Sequence, residues 1–194
     1  MWYAQWKDIK GIKPFIAAVP EISKIANVEM FSCGIRYYQL RSTDDWRQAV
    51  RHDFFKGYHG NGLADYFGEI TQKTLYGNIA RTWAAVCLQG MSKRVKHSHY
   101  REGSYQYTEM EALWYGAYPV VAEQVAKSAI PSECIITISD DADSEEIATT
   151  IEAGSPTALR DNPKAYGLAQ DFILDVHSAE KGLTTIIESL GGRA

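Results

Sequence analysis

Aromatic residues and charge are sorted along this chain, and the sorting limits how it can fold. Of 23 aromatic residues, 21 precede Pro119 and only Tyr166 and Phe172 follow it. Residues 1–118 carry a net charge of +4 and residues 119–194 a net of −8. Bulky rings that need burial therefore belong to a mildly basic first part. An acidic second part must build its packing from aliphatic side chains. We read residues 1–118 and 119–194 as two parts of one packed unit, because nothing near residue 119 has the composition of a linker.

At 194 residues with 45% hydrophobic and 23% charged content, the chain is long enough for a real core. Its longest apolar runs, such as Phe15–Val19, are far short of a membrane span, and no signal-peptide plan opens the sequence. Cys33, Cys87 and Cys134 are too sparse for a disulfide framework and lack zinc-ligand spacing. These features lead to the expectation of a cytoplasmic protein with reduced thiols, no cofactor and no bound metal.

Residues 28–40 are rich in β-branched and aromatic types and predict one or two short strands bent at Gly34. Helices are expected over 43–56 and from Leu63 to about Lys73. A longer one is expected through Leu75, Ile79, Trp83, Val86, Cys87 and Met91 at three-to-four spacing. Residues 100–107 alternate tyrosines and predict a strand. Thr108-x-x-Glu111 has the form of a capping box, opening a helix that Pro119 either kinks or follows with a new one, ended by Pro131. Residues 134–138 are the plainest strand. Asp143 or Ser144 caps a helix that closes at Gly154, and Asn162-Pro163 opens another carrying Tyr166, Ala169, Ile173 and Val176. Residues 183–190 form a last helix or extend that one. The sum is an α+β fold, a helix-dominated compact domain with a few short strands.

Four local patterns carry chemistry. The segment Gly57-Tyr58-His59-Gly60-Asn61-Gly62 is a glycine-rich loop presenting a histidine. Its His-Gly-x-Gly resembles the oxyanion loop of α/β-hydrolases, but no Gly-x-Ser-x-Gly nucleophile elbow follows. Phe55–Gly60 also resembles the first catalytic strand of diphtheria-type ADP-ribosyltransferases, with Asn61 in place of the usual hydroxyl residue. That resemblance implies a catalytic His59 on the NAD ribose and Tyr66 or Tyr76 stacking on nicotinamide. It also implies Glu109 or Glu111 stabilising an oxocarbenium ion. His97-x-His99 is half of a metal site without a third ligand, and Asp140–Glu152 lacks the glycine that a calcium loop needs.

The remaining patterns are a basic run, Lys93, Arg94, Lys96 and Arg101, and an aromatic cluster, Tyr105, Tyr107, Trp114, Tyr115 and Tyr118. Basic charge beside tyrosines suits phosphates and bases, so nucleic acid is one candidate partner. Tyrosine and tryptophan also favour protein interfaces. With no complete catalytic constellation, the expected function is a non-enzymatic interaction protein of the inhibitor, immunity or assembly type. It would bind another protein, or copies of itself, through these nine residues, with no membrane involved. The alternatives are a small NAD-dependent transferase centred on His59 and a nucleic-acid-binding protein using residues 93–101.

Overall fold

The computed structural model describes residues 1–4, 11–32, 61–66, 71–88, 91, 107–123, 130–154 and 157–177. The described residues form six strands, β1 (Trp2–Ala4), β2 (Glu29–Ser32), β3 (Asp65–Tyr66), β4 (Ala84–Cys87), β5 (Tyr118–Ala122) and β6 (Ile136–Ile138). They also form five α-helices, α1 (Ile12–Ile22), α2 (Gln72–Ile79), α3 (Tyr107–Trp114), α4 (Ser144–Gly154) and α5 (Pro163–His177). The helix-dominated domain with short strands is what the composition predicts. The strands line up as one sheet in the order β3-β2-β1-β4-β5-β6, and every pairing is parallel.

Three strands fall where helix is expected: β3 lies in the segment from Leu63 to Lys73, and parallel pairing explains the other two, β4 and β5. A parallel strand is covered by helices on both faces, so it loses the alternation that marks a half-exposed strand. Ala84 to Cys87 are all buried, as are Tyr118 to Ala122. The helix expected from Leu75 to Met91 thus ends at Ile79, and β4 follows. The helix expected to run through Pro119 is strand β5, with Pro119 opposite Ala85 near its start. A proline there costs little, because strand entries tolerate a missing donor. The boundary expected near residue 119 falls within this strand.

Side chains of β4 alternate between two apolar layers. Ala84 and Val86 join Met30, Val120 and Ile136 under α1, α4 and α5. Ala85 joins Phe31 under Leu75 and Ile79 of α2. Helix α1 buries Ile12, Phe15, Ile16, Val19 and Ile22 along one stripe and packs on α4. That stripe is periodic in the sequence, but Pro14 and Pro20 within it disguise a helix. Helix α4 opens as expected: Asp143 Oδ1 accepts from the amides of Glu145 and Glu146 at 3.0 and 2.9 Å. Asn162 Oδ1 likewise accepts from the Ala165 amide at 3.2 Å, with Pro163 as the first residue of α5. Along α5, Ala165, Ala169 and Ile173 are buried, whereas Val176 is exposed.

The opposite, amino edge of the sheet is held by Arg160. Its amide donates to Gly116 O at 3.0 Å, and its guanidinium donates to Thr82 O at 2.7 Å. Among the described residues, no helix is long and apolar enough to cross a membrane. The helices expected over 43–56 and 183–190, and the strand over 100–107 apart from Tyr107, lie outside the described residues.

Candidate functional site

In an open parallel sheet, ligands bind beyond the carboxyl ends of the strands, at the point where chain progression reverses. Here β1 leads outward to β2 and β3 on one side, and β4 leads to β5 and β6 on the other. The reversal therefore lies between β1 and β4. Gly11 sits at that crevice as the N-cap of α1, with φ 73°. It also lies against the end of β4: a β-carbon added there would stand 2.1 Å from Leu88 O. Only glycine satisfies both the left-handed backbone and this approach.

The close approach brings the amino end of α1 to the switch point. That end carries the positive pole of the helix dipole. Its first turn contains Lys13 and no acidic residue. A helix amino end at a parallel-sheet crevice, with no acidic residue in its first turn, is suited to an anion such as a phosphate.

A second polar group lies between α2 and α3. Tyr76 of α2 donates from its phenol to Glu111 Oε1 at 3.2 Å. Gln72 Nε2, one turn earlier, donates to the same phenol oxygen. The Tyr76 ring stacks on Tyr115 with centroids 4.9 Å apart and planes 26° from parallel. Glu111 is half-buried, and this loss of water raises its carboxyl above the ordinary range, although the Tyr76 hydrogen bond opposes the rise. Glu109, two residues earlier, is only 1% exposed and accepts from Thr108 Oγ1 at 3.2 Å. Thr108 lies inside α3, and Glu111 reaches across to α2, so neither plays its capping-box part.

The structure sorts the other expected site residues. Trp114 is exposed at 42%, Tyr115 is engaged by Tyr76, and Tyr118 is buried at 8%. Tyr107 starts α3 and Tyr66 ends β3. His59, Lys93, Arg94, Lys96, Arg101 and Tyr105 lie outside the described residues, as do His97 and His99. Gly11 and Leu88 had no part in the sequence reading. The available signal was Gly11 directly before the apolar stripe of α1, where a glycine opens a helix at the end of a strand.

No family model matches the chain, and no curated protein matches it. Solved structures do. An α,α-trehalose-phosphate synthase (UDP-forming) from Burkholderia vietnamiensis superposes with a TM-score of 0.65 at 10% identity, over 99% of this chain and 44% of that one. A sucrose-phosphate synthase from Thermosynechococcus elongatus gives 0.66 at 15% identity, over 100% and 45%. A second UDP-forming trehalose-phosphate synthase, from Burkholderia xenovorans, gives 0.67 at 8% identity, over 90% and 40%. The chain thus shares the Rossmann-like fold of these structures. The chain spans less than half the length of each of these structures.

The fold overturns the expectation of a non-enzymatic interaction protein, whether inhibitor, immunity factor or assembly module. The expectation failed for a physical reason. It rested on missing catalytic motifs, whereas a switch-point crevice is built from strand order and backbone, which leave little mark on side-chain composition.

Proposed function

We propose that this chain forms a nucleotide-sugar-binding unit of a glycosyltransferase. The observation that carries the reading is the parallel sheet with its switch point at β1/β4, where the amino end of α1 meets the end of β4. The shared fold with synthases described as UDP-forming supports a uridine diphosphate sugar as donor. In such a transfer the bond from the sugar's anomeric carbon to the diphosphate oxygen breaks. A bond from that carbon to an acceptor oxygen forms, the acceptor loses its proton, and the nucleoside diphosphate leaves with the electron pair. The leaving diphosphate gains negative charge, and a helix dipole with Lys13 in its first turn stabilises that charge without reorganising.

Hydroxyl groups of the donor call for a carboxylate acceptor. Of the two carboxylates expected on α3, Glu109 is sealed in the core and Glu111 is the one a ligand can reach. Glu111 is therefore assigned to the donor's hydroxyls. The test is titration of the purified protein with UDP-glucose and with UDP, followed by calorimetry. Saturable binding that weakens roughly 10-fold in Lys13→Glu supports the reading, since a reversed charge beside a phosphate costs on the order of 1–2 kcal/mol. Absence of saturation with UDP and with every nucleotide sugar tried overturns it.

A further inference from the structure

Glu111 does not stand alone. Its carboxylate receives the Tyr76 phenol at 3.2 Å from a neighbouring helix. That phenol is itself fixed twice, by the Gln72 amide and by the ring stack on Tyr115. Gln72, Tyr76, Glu111 and Tyr115 thus form one relay across α2 and α3. The tyrosine rings pack against the layer formed by Phe31, Leu75, Ile79, Ala85, Ala112 and Ala117. A carboxylate on a three-bond side chain otherwise samples several rotamers, and an ordered partner removes that freedom before a ligand arrives.

We propose that Tyr76, braced by Tyr115, is a positioning residue that holds the Glu111 carboxylate ready to accept the donor's hydroxyls. The proposal rests on the donor-binding reading given above. It adds that affinity depends on a residue that does not itself touch the donor. Among the described residues, the groups facing Glu111 are Tyr76 and, behind it, Gln72 on α2. Tyr115 of its own helix lies against Tyr76. Because the Tyr76 hydrogen bond favours the charged carboxylate, removing it leaves only the upward push of burial on Glu111.

Tyr76→Phe deletes the phenol and keeps the ring. Donor binding is measured for wild type, Tyr76→Phe and Glu111→Gln between pH 5 and 9, with thermal unfolding of each. The expected result is a loss of about 3- to 10-fold in donor affinity for Tyr76→Phe at pH 8, the fold-change of one net hydrogen bond. The acid limb of its binding profile moves to higher pH, and Glu111→Gln has no acid limb. A role confined to packing lowers the melting temperature but leaves the acid limb in place, which overturns the proposal. If Glu111→Gln loses affinity while Tyr76→Phe keeps the wild-type affinity and profile, positioning is wrong and the donor reading stands. If the wild type binds no donor, both fall. A carboxyl-carbon NMR titration of Glu111 without donor gives a separate check: no upward move of its midpoint in Tyr76→Phe refutes the relay.

Discussion

Replacing Gly11 by alanine is predicted to separate two costs that meet at one residue. At φ 73° an L side chain costs about 1–2 kcal/mol through contact with its own backbone. The new β-carbon would also stand 2.1 Å from Leu88 O and 2.4 Å from Leu88 C, where real contacts essentially never fall below 3.0 Å. Both neighbours are main-chain atoms of the segment leaving β4. No rotamer change relieves the clash, and α1 must move away by close to an ångström. Forced expansion of a packed site costs about 1–3 kcal/mol more. Gly11→Ala should therefore lose about 2–5 kcal/mol, a large part of the roughly 5–15 kcal/mol stability of a domain. Two controls calibrate the result. Gly62 has φ 72° with nothing among the described residues within 4 Å, so Gly62→Ala should show only the backbone cost of about 1–2 kcal/mol. Gly77 lies in α2 with open space around it, so Gly77→Ala should gain about 0.5–1 kcal/mol. Urea unfolding of the three variants and the parent gives the values. If Gly11→Ala and Gly62→Ala cost the same, α1 does not abut the end of β4 and the crevice is drawn wrongly.

Other outcomes follow from single contacts. Arg160→Met should cost about 1.5–3 kcal/mol in chemical denaturation, since a charged donor to Thr82 O is lost from a partly buried setting. Asp143→Ala should cost about 1 kcal/mol by removing the cap that serves two α4 amides, whereas Asp143→Asn should cost much less. Burial pushes the Cys134 thiol up to about 11, so Ellman's reagent at pH 7.5 should label it only as fast as the protein unfolds. Rapid labelling in native buffer would refute its burial. Glu111 holds its proton more tightly folded than unfolded. Its contribution to stability is therefore complete below the ordinary carboxyl pKa and is lost as pH rises through the raised value. Glu111→Gln should flatten that part of the stability–pH curve.

Helix ends were legible where a short polar side chain answers a backbone need. Asp143 and Asn162-Pro163 were found from sequence because capping is local and depends on residue type. Strand β6 was legible because Thr137 is exposed between buried Ile136 and Ile138, which preserves alternation. Strands β4 and β5 were not, because burial on both faces removes the one signal that separates strand from helix in a short apolar run. With those two strands hidden, parallel order and the switch point could not be inferred. The candidate site followed the same division. Glu111 and Tyr76 were singled out as chemistry-bearing residues, but their meeting across two helices is a tertiary fact. Gly11 matters through Leu88, which lies 77 positions away in the chain and next to it in space.

The most direct measurement is an amide NMR titration with UDP-glucose. Saturable shifts are expected on Gly11, Ile12 and Lys13 at the amino end of α1, on Leu88 at the end of β4, and on Glu111 of α3. Shifts confined to the amino edge of the sheet around Thr82, Gly116 and Arg160, or no shifts at all, would contradict this expectation.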